Sequence, residues 1–151
     1  MQRLIRLLAL LMLLLATANA LAAGLSRKQR QQLEEIQTAY GATLRWGGVE
    51  DAMGYIDPEV RREKPLTAFE LNRYEQIRIS GYRERSANPL PDGTWERRVE
   101  VGVINVNTQA ERTVGVVERW RWDKDAKRWW QVSGLPDLWQ VVALDACARL
   151  R

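Results

Sequence analysis

The spacing of apolar residues divides the chain into a run, a helical half and an alternating half. Leu33, Ile36, Tyr40 and Leu44 recur every three or four residues, which places them on one face of a long helix. Ser26 is its expected N-cap and Gly47-Gly48 its end, with Arg27, Lys28, Arg30, Glu34 and Glu35 on the solvated side. In "VEDAMGYIDPE" Val49, Ala52, Met53 and Ile56 line one side of a short second helix. Asp57-Pro58 should stop it, because proline disfavours helix in the residue before it. "EVRREKP" then reads as a charged loop, and "TAFELNRYEQ" as a third short helix, with Thr67 and Glu70 at capping-box spacing.

From Ile77 the period falls to two. "IRISGY" sets Ile77 and Ile79 against Arg78 and Ser80, and "NPLPDG" is a turn. "TWERRVEVGVINVN" sets Val99, Val101 and Val103 against Arg98, Glu100 and Gly102. After a turn at "TQAE", Val114, Val116, Trp120 and Trp122 share a face; "KDAK" turns the chain and "RWWQVS" returns. Four strands on short connections predict an antiparallel meander. Neither half can bury its apolar side alone, so the expected fold is α+β, with N-terminal helices packed on one face of a four-stranded sheet. The segment 140–151 is left as a tail that could be a strand or a short helix.

Residues 1–20 read as a secretory signal peptide. "MQRLIR" is charged, Leu7 to Leu15 is uninterruptedly apolar, and Ala18-Asn19-Ala20 fits the cleavage rule, with cleavage as late as residue 23 as a variant. The rival is an uncleaved N-terminal anchor, since loosely apolar residues continue to Leu25. The expected location is therefore periplasmic or secreted, with a membrane as partner only if the leader is kept. Loss of Arg3 and Arg6 leaves 21 basic against 19 acidic residues and lowers the net charge from +4 to +2. Charges of both signs are mixed along the rest, which argues against nucleic acid as a partner. The chain holds no histidine and a single cysteine, Cys147. That composition excludes Ser-His-Asp and Cys-His catalysis and histidine-ligated zinc, so neither a metal site nor a cofactor is expected.

Five of the seven tryptophans fall in "ERWRWDKDAKRWWQVSGLPDLW", residues 118–139, interleaved with basic residues. Period two puts Trp120 and Trp122 inside and Arg119 and Arg121 outside, whereas a stacking platform for single strands would hold both types on one face. Trp129 and Trp130 must face opposite ways, so one lies on the outer face of the sheet, where it hints at a dimer interface. Glu118 shares the parity of Val116 and Trp120, which sets a carboxylate on the apolar face. Such a group either pairs with an arginine or tyrosine or, with its pKa raised by burial, acts as an acid or base. Tyr40, Tyr55 and Tyr74 are the hydroxyls expected on the helical side to complete such a pocket, with Trp120 and Trp122 as walls. Asp57 is better read as a turn former than as a catalytic acid.

The long first helix leading into "YGATLRWGGVEDAMGYIDPE", followed by the strands of "VERWRWDKDAKRWWQVSGLP", resembles the NTF2-like (cystatin-like α+β cone) superfamily, in particular its small exported bacterial proteins. The resemblance spans residues 25–139. It implies a curved sheet wrapped around the helices with a pocket between them, and dimerisation through the outer sheet face. The superfamily contains isomerases and dehydratases alongside non-catalytic modules, so it leaves function open. The expectation is an exported, non-catalytic binding or interaction module, with a pocket that suits a small apolar ligand. The alternatives are an isomerase or dehydratase using Glu118, and a membrane-tethered accessory subunit.

Overall fold

The computed structural model describes residues 25–139. The chain divides into two compact units, 1–31 and 32–151; of the first, only the opening of helix α1 is described. Residues 1–24, read as a signal peptide, and the tail 140–151 with Cys147 lie outside the described residues, as do the readings that rest on them.

Helix α1 (Arg27–Trp46) buries Leu33, Gln37, Tyr40, Gly41 and Leu44; of the expected stripe Ile36 is only half-buried, and a glutamine and a glycine join the buried face. It ends where Gly47 and Gly48 both donate to the Thr43 carbonyl, and Gly48 takes a φ of 107°, a left-handed geometry that a side chain would strain. Helix α2 (Val49–Ala52) runs into a 3-10 turn, Met53–Tyr55.

The charged stretch expected to be a loop is instead helix α3 (Pro58–Glu63). Asp57-Pro58 ends one element by starting the next: the Asp57 carboxylate accepts the Glu59 N–H at 2.8 Å, and Pro58 occupies a first-turn position where no N–H is needed. Helix α4 (Ala68–Glu75) begins with the anticipated capping box between Thr67 and Glu70.

Strands β1 (Ile77–Pro89), β2 (Trp95–Asn105), β3 (Glu111–Asp123) and β4 (Arg128–Gln131) form one open antiparallel sheet in sequential order. The fold is thus α+β, as the sequence predicts. β1 is longer than "IRISGY" suggests, because two bulges, at Ile79/Gly81 and Glu84/Ser86, carry it past the point where its alternation fails. A parallel bridge from Ile56 to Gln131 covers the β4 edge. The core lies between α1 and the inner sheet face. Val99, Val101, Val103, Val114 and Trp120 have no exposed surface, and the Tyr40 ring meets the Trp120 ring edge-on at 5.6 Å.

The outer sheet face is charged: Glu96 pairs with Arg98 at 3.2 Å and Arg119 at 3.7 Å, and Arg85 pairs with Glu100. Of the tryptophan pair on β4, Trp129 is buried against Trp122, with ring centroids 5.6 Å apart. Trp130 faces outward, covered by the Arg128 guanidinium 3.8 Å from its ring and donating its indole N–H to Asp123. Among the described residues no helix is long and apolar enough to cross a membrane.

Candidate functional site

Glu118 is buried without any exposed surface, as its parity requires. Three strands position its partners. Trp120, two residues on and on the same face, donates its indole N–H to one carboxylate oxygen at 3.0 Å. Tyr82 on β1 donates its hydroxyl to the other. Arg97, directly opposite on β2, approaches to 3.6 Å. Arg97 also donates to Glu84 at 2.8 Å and to the Gln37 carbonyl of α1 at 3.2 Å. Its hydrogen bonds thus go to groups other than Glu118. Burial therefore dominates and pushes the Glu118 carboxyl up to about 8, partly offset by the Trp120 N–H. The same desolvation lowers Arg97 from its ordinary value, against the pull of Glu84.

Tyr82 can lie under α1 only because position 41 is glycine: a Cβ there would meet the Tyr82 ring at 2.9 Å. Two polar atoms on the same helix face, the Tyr40 hydroxyl and Gln37 Nε2, are buried without a hydrogen-bond partner among the described residues. Burial, with the Glu118 charge adding to it, raises the Tyr40 phenol well above its ordinary value.

The structure brings four of the residues that the sequence suggested as one pocket together in the packed core: the Tyr40 ring meets that of Tyr55 at 5.7 Å and that of Trp120 at 5.6 Å, and Trp120 bonds Glu118. Tyr40, Glu118 and Trp120 are wholly enclosed in the core. Trp122 packs on Trp129, and the Tyr55 hydroxyl shares a hydrogen bond of 3.2 Å with Thr43. Tyr74 alone of these lines the clefts on the helical side, and its hydroxyl is committed to the Pro136 carbonyl at 2.6 Å. Asp57 is structural in the way its position suggested: besides capping α3 it pairs with Arg121 and is nearly fully buried.

Tyr74 lines three clefts; besides the one bounded by Gly47 to Asp51 and Leu71 there are two. One, of about 220 Å³, lies between α3, α4 and the segment 133–139. That segment is pinned by the Gln131 side chain, which accepts the Gly134 N–H at 2.8 Å and donates to the Gly134 carbonyl at 2.7 Å, and by Arg112, which donates to the Leu138 carbonyl at 2.7 Å. The other, of about 320 Å³, opens at the C-terminal end of α1. Its apolar walls are Leu44, Trp46, Val49, Ile77, Ile79 and Val106, and Arg45, Arg78 and Glu75 supply its charge. Trp46 is 78 % exposed there and Val106 36 %.

No family model, curated protein or solved structure matches the chain. Among the described residues no group of three carboxylate, cysteine or histidine side chains is arranged to hold a metal ion.

Tyr82, Arg97 and Gln37 are the site residues that sequence reasoning missed. Arg97 has the parity of Val99, so the signal was present. Gln37 lies one turn beyond Leu33 on the apolar face. Tyr82 gives no such signal, because a bulge resets the alternation just before it.

Proposed function

We propose that the protein is an exported, non-catalytic binding module of NTF2-like type whose ligand site is the cleft at the end of α1. The observation that carries the reading is Trp46. Trp46 sets a large aromatic surface, 78 % exposed, at a cleft of about 320 Å³, where a ligand or partner would cover it. A volume of that size falls at the lower end of the range in which small molecules bind. The sealed position of Glu118 supports the non-catalytic part. A general acid or base must come within hydrogen-bond reach of a substrate, and both oxygens of this carboxylate are already engaged.

The raised pKa of Glu118 is what favours the second reading, an isomerase or dehydratase. That reading requires helix α1 to lift from the sheet, since Gln37, Tyr40 and Gly41 are buried on the face it turns to the core. Dimerisation belongs to the proposal as well, through the outer sheet face, where Val117 stands exposed among the charged pairs.

Ligand-observed NMR of the full chain against a fragment library tests the binding reading. Binders should be displaced or lost in Trp46→Ala. A set of binders indifferent to that substitution would place the ligand elsewhere and overturn the assignment.

A further inference from the structure

We propose that the cleft at the end of α1 takes an apolar carboxylate, with its hydrocarbon against Trp46, Val49 and Val106 and its charged end on Arg45 and Arg78. The inference rests on the reading of this cleft as the ligand site and names the ligand class.

The walls set the body of the ligand. Leu44, Val49, Ile77 and Ile79 form an apolar floor, and exposed Trp46 and Val106 stand at its rim. Contact with a hydrocarbon would remove that surface from water, at about 25 cal/mol per Å².

The donors set the head group. Arg45 is anchored, donating from one terminal nitrogen to the Ser80 carbonyl at 3.2 Å, with its guanidinium carbon 4.8 Å from the Trp46 ring centroid. Its Nε is buried and has no acceptor among the described residues. Buried N–H groups normally find an acceptor, and one left without it costs about 1–3 kcal/mol. The nitrogen is closed to solvent as it stands, so a ligand carboxylate would relieve that cost by drawing the Arg45 guanidinium toward the cleft. Arg78 makes none of the ion pairs found among the described residues and lines the same cleft. Two guanidinium groups face one carboxylate, Glu75, so the lining carries a net positive charge. The C-terminal carbonyl end of α1 carries about half a negative charge, which weakens but does not reverse that balance. Guanidinium groups bind carboxylates through paired, charge-assisted N–H donors, which an amide or alcohol reproduces poorly.

The test titrates the full chain at pH 7 with octanoate, and separately with octanamide, following tryptophan fluorescence and calorimetric heat. Saturable octanoate binding is expected, with octanamide about tenfold or more weaker, since hydrogen bonds to charged groups exceed neutral ones by that order. Arg78→Met should weaken octanoate about tenfold and leave octanamide unchanged. Trp46→Ala should weaken both. Arg78 and Trp46 are exposed, so neither substitution threatens the fold. Equal binding of the two probes, lost in Trp46→Ala, would overturn the carboxylate class and leave the cleft as a ligand site. No saturable binding of either, or binding indifferent to Trp46→Ala, would overturn both.

Discussion

Protonation of Glu118 should control stability over a pH range where little else titrates. Burial moves this carboxyl from the ordinary 4.5 to about 8, and each unit corresponds to about 1.4 kcal/mol. The folded state then binds a proton that the unfolded chain releases between those values. Stability due to the neutral form is complete below about pH 4.5, declines as pH rises, and is gone above about 8. Between pH 5.5 and 8 the loss amounts to roughly 3 kcal/mol. The chain has no histidine, so no other side chain has its ordinary titration in that window.

Chemical denaturation of the wild type and of Glu118→Gln at pH 5.5 and 8 measures the effect. Glutamine mimics the neutral acid but cannot accept from both Tyr82 and Trp120, so Glu118→Gln should be about 1–3 kcal/mol less stable at pH 5.5. It should lose little more by pH 8, and the two proteins should converge or cross there. A wild type equally stable at both pH values would show instead that Arg97, 3.6 Å away, keeps Glu118 ionised throughout. A parallel decline in the variant would trace the effect to another group.

Gly41→Ala should destabilise by about 1–3 kcal/mol, because the added methyl meets the Tyr82 ring; a gain would be expected from helix propensity alone, so the sign in a denaturation curve decides. Asp57→Ala removes the α3 cap and the partner of Arg121 and should cost about 1–2 kcal/mol, read as a lower urea midpoint. Gly134 sits at a φ of 81°, so Gly134→Ala should cost about 1–2 kcal/mol in the same assay. Trp46→Ala should change stability by less than about 0.5 kcal/mol while weakening ligand binding, which separates surface from core tryptophans such as Trp120.

Period alone revealed the parts of this fold whose geometry is regular. The valines of β2 and β3, Trp120 and the buried Glu118 followed from alternation, and the capping box at Thr67 from two residues three apart. What escaped prediction depends on local irregularity. Asp57-Pro58 reads as a stop because proline is hostile to the residue before it, yet the same pair is a good helix start, and the charged "EVRRE" continues it. The β1 bulges change which face Tyr82 and Glu84 share, and no pattern in "GYRERS" marks them. The Glu118 partner consequently came from a strand, whereas the hydroxyls sought on the helices lie in the core or at other contacts. The cleft at Trp46 was invisible for another reason: exposure at a helix end depends on how far neighbouring elements reach, which no residue spacing encodes.

Ligand binding at the end of α1 should leave the Glu118 network closed. Backbone amide chemical-shift mapping of the full chain with octanoate measures this. Saturable shifts are expected at Leu44 to Val49, Ile77 to Ile79 and Val106, together with the Trp46 indole. Shifts centred instead on Tyr82, Arg97, Glu118 and Trp120 would contradict a site at the end of α1, and would return the buried carboxylate to the role of an active-site group.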